Sequence, residues 1–437
     1  MTTTTAPQAP TTPRRVAVVL AGAGARGCYE AGAMAVVLPR LAAAGVVPSL
    51  YVGTSAGAIN ATLLAASAHL PADRQADLAL ELWGRMRTRD VFRSPVRSGG
   101  GTLVRWTGQV LHVPGARVTG LLDTAPLMEL AERSLDWDQL HRNLDDADGD
   151  LTLAVVATSG TDNRTVVFVA GAGADRLPPS DDERPIDYRA ARIGAAHVIA
   201  SASIPVAFPP TWVPEDAGQV EGAADAGADG QADGDWYLDG GVRLNAPLKP
   251  AIALGADAVV VVATHPVVDR VTEVPHTGPG EPPDVDDTVV RVMDAALVDR
   301  MVEDVHALAR TNVLVDAAAG RADGPATTYR RIPFLAVCPR ERGTLAHVAS
   351  EVFGRRAGVV ADTRRFLRDP TMRVLGHALD GDGDRRGDLM SYLYFDPEFA
   401  AAAMERGRED AAALLAGTPE DAVPWQLGLD GATDAGL

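Results

Sequence analysis

Val16–Leu20 is an unbroken run of apolar side chains, bounded by Arg14-Arg15 before it and by glycines after it. A short run with no polar position on either face predicts a strand covered on both sides, the habit of a parallel sheet. Residues 27–41 are Ala-rich, with Met34, Val37, Leu38 and Leu41 at helical spacing, and predict a helix. Residues 50–52 read as a second short apolar strand and 56–70 as a second helix. Strand, helix, strand, helix with short connections predicts right-handed crossovers and parallel pairing. Further strand-like runs lie at 151–158, 165–170 and 258–264. The expected class is α/β, with helices on both faces of a central, mainly parallel sheet.

The rest of the pattern is less regular. Residues 72–87 and 126–135 predict helices and 93–120 a loop, an insertion able to cap a site between core strands. Residues 214–235 are low-complexity Ala/Gly/Asp and 269–287 are Pro-rich, so both read as flexible surface loops. Residues 1–13 are Thr/Pro/Ala-rich and predict a disordered tail. From 288 onward the pattern is mainly helical, with one strand-like interruption at 332–337.

Composition narrows the function classes. Among 437 residues, 58 Asp and Glu outweigh 40 Lys and Arg, for a formal charge of -18. Such a surface repels phosphate backbones, which argues against nucleic acid as a partner and against tight electrostatic docking on anionic membranes. Hydrophobic contact with lipid stays open. The two cysteines, Cys28 and Cys338, make neither a disulfide framework nor a zinc site alone, so the expected compartment is reducing and cytoplasmic. Cys28 lies at a predicted helix start, which favours thiolate, yet a buried structural thiol is the simpler expectation. Residues 41–72 hold no Asp, Glu, Lys or Arg, but Gly45, Pro48, Gly53, Gly57 and Asn60 break them up. No membrane-spanning helix is expected.

Two glycine motifs carry chemistry. Gly22-Ala23-Gly24-Ala25-Arg26-Gly27 follows the first strand and precedes a helix, where backbone N–H groups favour negative charge. A dinucleotide site would want an acidic residue about 20 positions on, at the end of the next strand. That strand runs instead into Gly53-Thr54-Ser55-Ala56-Gly57, so no nucleotide cofactor is expected. The G-x-S-x-G between strand and helix has the context of a nucleophile elbow and makes Ser55 the candidate nucleophile. A serine nucleophile needs a base. His265, just after a predicted strand, and His197 are histidine candidates; Asp239-Gly240-Gly241, after Trp236-Tyr237-Leu238, is a carboxylate candidate or merely a hairpin turn.

Four segments in order, 20–27, 53–57, 200–210 (A-S-A-S-I-P-V-A-F-P-P) and 237–247 (Y-L-D-G-G-V-R-L-N-A-P), resemble patatin-like phospholipases. The resemblance implies a three-layer α/β/α fold and a serine–aspartate dyad, with Ser55 as nucleophile and Asp239 as base. It implies an oxyanion hole from Gly22, Ala23 and Gly24, with Arg26 at a commonly basic position reinforcing it. Gly27, Gly53, Gly57, Gly240 and Gly241 complete the motifs. Ala23 stands where many members carry a third glycine, a departure that keeps the backbone N–H. Asp430-Gly431-Ala432 also fits the family's aspartate motif, but lacks the preceding strand and the following N-x-P. Ser201, Ser203 and Asn245 fall in matched segments, as residues that line or brace the site.

The implied activity is hydrolysis of fatty-acyl esters of phospholipids or related lipids, with no metal and no cofactor, and with transient contact at a membrane surface. Rival readings are acyl transfer from the same acyl-enzyme, a Ser-His-Asp esterase using His265, and a catalytically silent interaction protein. The expected organisation is a tail at 1–13, a catalytic domain at 14–268 with an insertion at 214–235, a loop at 269–287, and a helical C-terminal region at 288–437 packed on the core. The aromatic cluster Tyr392-Leu393-Tyr394-Phe395 is expected to dock on that core, with a lipid-contacting surface as the alternative.

Overall fold

Buried strands need covers on both faces, and the chain supplies them. The computed structural model describes residues 13–93, 120, 122–146, 149–205, 207–215, 233–267, 300–319, 329–359 and 391–429. Five parallel strands form the centre: β1 (Val16–Leu20), β2 (Pro48–Thr54), β3 (Thr152–Ser159), β8 (Ala258–Val262) and β9 (Phe334–Val337), ordered β3-β2-β1-β8-β9. β4 (Thr165–Gly171) runs antiparallel beside β3, and β5 (Ile186–Ala190) closes that side parallel to β4. Within β1, Val16, Val18 and Leu20 face one apolar cluster while Ala17 and Val19 face the other, which explains the unbroken apolar pattern.

On the first face lie α1 (Gly27–Ala43), α2 (Ala56–Ala66), α3 (Ala72–Arg85), α4 (Ala125–Ser134), α5 (Trp137–Leu144) and α6 (Ala195–Ser201). The opposite face is covered by α7 (Leu248–Ala253) and α8 (Arg300–Ala319), through Leu248, Ala251, Val305 and Leu308. Further along, the described residues include α9 (Thr344–Val359) and α10 (Pro397–Leu415). α10 lies tightly against α1: a Cβ on Gly32 would strike the Met404 carbonyl, and one on Gly407 the Tyr29 carbonyl. Tyr29 Oη donates to Asp410 Oδ2 at 3.0 Å across the same contact.

The fold class agrees with the sequence pattern, and differences lie at the margins. β5 reads Ile-Asp-Tyr-Arg-Ala, and its charged positions pair with neighbours, Asp187 with Arg164 at 2.8 Å. Residues 214–235 are not wholly a loop. Their ends form an antiparallel hairpin, β6 (Thr211–Pro214) against β7 (Gly234–Asp239), with Trp212 opposite Trp236 and Pro214 opposite Gly234. Cross-strand aromatic pairing outweighs the low-complexity composition there, the two indoles meeting edge to face at 5.4 Å. The interior of that insertion, most of 93–120, the tail at 1–12, the segment 269–287 and Asp430 lie outside the described residues. Among the described residues no helix is long and apolar enough to cross a membrane.

Candidate active site

Sheet register brings the two halves of the site together. β2 ends with Thr54 opposite Val156 of β3. β7 enters the same lane beside β3 from the other direction and ends with Asp239 opposite Ala157, the next residue. The residue after β2 is Ser55, so the elbow and the aspartate meet head-on. Ser55 Oγ donates to Asp239 Oδ2 at 2.6 Å.

The elbow is strained and braced. Ser55 has φ 53°, a left-handed conformation uncommon for a side chain with Cβ. Its N–H donates to Ser201 Oγ at 2.8 Å, and Ser201 donates in turn to the Val156 carbonyl at 2.5 Å. Both flanking glycines are required by close approach: a Cβ on Gly53 would strike the Gly57 carbonyl, and one on Gly57 the Leu20 carbonyl. The loop after β1, the elbow and the start of α2 therefore pack backbone on backbone.

Asp239 is fixed from every side. Its N–H donates to the Ser203 carbonyl at 2.9 Å, and its own carbonyl accepts from Thr158 Oγ1 at 3.0 Å. Its second carboxylate oxygen, Oδ1, accepts from the Gly241 N–H at 2.7 Å. The group is buried, and desolvation pushes its pKa from 3.8 up to about 7 against the lowering effect of the Ser55 and Gly241 bonds. A carboxyl poised near neutrality can both take and return a proton at physiological pH.

The glycine loop separates into three jobs. Gly22 donates its N–H to the Asn245 carbonyl at 3.1 Å, so it offers space beside Ser55 rather than an oxyanion donor; a Cβ there would strike Asn245 Oδ1. The N–H groups of Ala23 and Gly24 make no hydrogen bond among the described residues, and Gly24 lines the same recess as Ser55. The Ala23 and Gly24 amides are thus the available donors. The motif suggests that Arg26 reinforces the oxyanion, but its guanidinium is turned onto other partners. Nε donates to Ser391 Oγ at 2.7 Å, Nη1 meets His265 Nε2 at 2.6 Å, and the Tyr392 ring lies 4.0 Å from the guanidinium carbon. Gly27 begins α1 against Trp83, and Gly240 passes close to the Val156 carbonyl.

Neither histidine candidate serves the serine. Among the described residues, Ser55 and Gly241 are the hydrogen-bond donors to the Asp239 carboxylate. His265 is buried with Arg26 and Tyr392, and desolvation with the Arg26 charge holds its pKa well below the usual value, leaving Nε2 an acceptor. His197 stacks edge to face on Phe168, and burial lowers its pKa to about 4. Cys28 is buried too, and desolvation pushes its thiol far up, so the helix start does not make it a thiolate.

Beside Ser55 opens an apolar recess walled by Ile59, Met86, Val91, Leu127, Phe208 and Phe395. These wall residues come from α2, the 72–135 region, the segment after α6 and the C-terminal segment, and most of them no motif marks. One cue is the aromatic density at 392–395, where Tyr392 and Tyr394 are buried.

A family model for patatin-like phospholipase matches residues 18–252. Among solved structures, the crystal structure of VipD from Legionella pneumophila is similar at 14% sequence identity and a TM-score of 0.32, over 92% of this chain. The chain spans 66% of that structure's length. No curated protein matches.

Proposed function

This chain belongs to the patatin-like phospholipase family, and on that premise we propose that it is a serine acyl hydrolase acting on fatty-acyl esters of phospholipids or related lipids. The observation that carries the reading is the 2.6 Å bond from Ser55 Oγ to a buried Asp239 carboxylate whose pKa stands near 7. As Ser55 Oγ attacks the ester carbonyl, its proton passes to Asp239 Oδ2. The carbonyl oxygen gains the negative charge and takes the Ala23 and Gly24 amides as donors, each worth about 3–4 kcal/mol in the transition state. The tetrahedral centre collapses, the alcohol leaves with the proton from Asp239, and an acyl-serine remains. Asp239 then takes a proton from water as it attacks the acyl carbonyl, and returns that proton to Ser55 Oγ as the ester bond breaks, which releases the fatty acid and restores the resting pair. Ser201 keeps the serine backbone in place throughout and takes no part in proton transfer.

A serine-reactive fluorophosphonate followed by mass spectrometry of the labelled peptide tests the assignment. Labelling at Ser55 supports it; labelling at another serine, or none in folded protein that also lacks ester turnover, overturns it.

The recess supports a chain-length prediction. An acyl chain that enters it leaves water at about 0.8 kcal/mol per methylene, roughly fourfold in kcat/KM for each carbon added. A series of p-nitrophenyl esters should therefore rise in kcat/KM with chain length until the recess is filled, and then level. Leu127→Phe, which narrows the wall, should move that plateau to shorter chains. A flat profile from acetate onward, unchanged in Leu127→Phe, would show that acyl chains bind elsewhere.

A further inference from the structure

The residues matched by the family end at 252, yet the glycine loop is packed against chain nearly 140 residues beyond that point. Gly24 has φ 55°, and a Cβ there would strike the Tyr392 carbonyl oxygen. Two residues on, the buried Arg26 guanidinium is held by Ser391 Oγ, by His265 Nε2 and by the face of Tyr392. Tyr392 Oη lies 2.8 Å from the same His265 nitrogen, which closes the cluster. His265 follows β8, the strand paired with β1. The loop is thus tied to its own sheet on one side and to residues 391–396 on the other.

Those residues are themselves anchored. The Phe395 carbonyl accepts from Thr88 N–H at 2.7 Å and from Thr88 Oγ1 at 3.1 Å. Asp396 caps α10 by accepting from the Glu398 N–H at 2.9 Å, and α10 is locked on α1, which begins immediately after Arg26. Any displacement of this segment therefore pulls on the loop through Arg26 and on the helix behind it. An amide aimed at a developing oxyanion tolerates little misplacement, because its contribution falls off steeply with distance and angle.

We propose that segment 391–396 is a working part of the active site, in which Ser391, Tyr392 and His265 act through Arg26 to hold the Ala23 and Gly24 amides in the geometry that stabilises the oxyanion. They are positioning residues. The inference rests on the acyl-hydrolase reading. It differs from a direct role for Arg26 in that the cation never touches the substrate, and it assigns the C-terminal segment a part in turnover.

The test uses Arg26→Lys, which keeps the charge but loses the planar fork, and Tyr392→Phe, which removes only the hydroxyl and guards against misfolding of the first variant. The readouts are kcat, KM, affinity for a reversible trifluoromethyl ketone analogue of the acyl group, and thermal unfolding. In Arg26→Lys, kcat should fall by roughly 100-fold, the scale of losing one oxyanion donor, with KM within about twofold. Analogue affinity should fall by the same factor as kcat, and the ascending pH limb should stay in place. Tyr392→Phe should show the same signature at about tenfold. A folded Arg26→Lys and a folded Tyr392→Phe with wild-type kcat overturn the inference alone, as does a loss that appears only in KM or only in unfolding temperature. Absence of ester turnover and of Ser55 labelling in the wild type overturns the hydrolase reading, and this inference with it.

Discussion

Ser55→Ala is expected to reduce ester turnover by roughly five orders of magnitude, to the level left by binding and the oxyanion donors alone. Only one side-chain hydrogen bond is deleted, that from Oγ to Asp239. The backbone bond from the Ser55 N–H to Ser201 survives, as do the glycine contacts that shape the elbow. Thermal unfolding should accordingly stay within a few degrees of wild type. Ser55→Gly should be equally inactive but more stable than Ser55→Ala, because glycine relieves the φ of 53°, a strain of about 1 kcal/mol. Activity in Ser55→Ala above a hundredth of wild type, measured on the same ester, would remove Ser55 from the reaction.

How far the sequence could be read follows from which contacts are local. Val16–Leu20 announces its place because its burial on both faces is written in consecutive residues. The elbow is equally local, since Gly53 and Gly57 are demanded by backbone approach within a few residues and by the neighbouring strand. Helix ends are less so: α2 stops at Ala66 rather than near 70, where Ser67 Oγ turns back to the Leu63 carbonyl and competes with the helix. The hairpin at 211–239 escaped because β6 is four residues long and ends in proline, so its pairing depends on Trp236 across an insertion.

Within the site, Ser55 and Asp239 were legible as motifs, but the division of labour in the glycine loop was not. Which amide of Gly22, Ala23 and Gly24 is free depends on where the Asn245 carbonyl lies, more than 200 residues away. The direction of Arg26 is set by Ser391 at a separation of 365 residues. A basic residue beside a glycine loop suggests electrostatic help by its type alone; its guanidinium is hydrogen-bonded to Ser391 and His265.

Asp239→Asn should lower kcat by roughly 10²- to 10⁴-fold, the range of a positioned general base, while the ring of backbone bonds around it keeps its place. In the wild type the carboxyl must be ionised to accept the Ser55 proton. With its pKa near 7, kcat/KM should climb with pH through about 7 and level above it, and no limb from His265 should appear. The same pKa makes a statement about stability with a definite sign. Between about 3.8 and 7 the folded state holds a proton on Asp239 that the unfolded state has released. Unfolding free energy therefore falls as pH rises across that window, by up to about 4 kcal/mol, and is recovered only below the unfolded pKa. The asparagine side chain has no charge to desolvate, so Asp239→Asn should be more stable than wild type at pH 8, and the difference should close towards pH 4. Urea unfolding of both proteins at the two pH values reads this directly. An aspartate that costs stability at the pH where it works is expected of a base held for chemistry; a variant equally destabilised at both pH values would mark Asp239 as a structural turn residue, and a wild-type activity limb displaced to the ordinary carboxylate range would mean that its burial is relieved in solution.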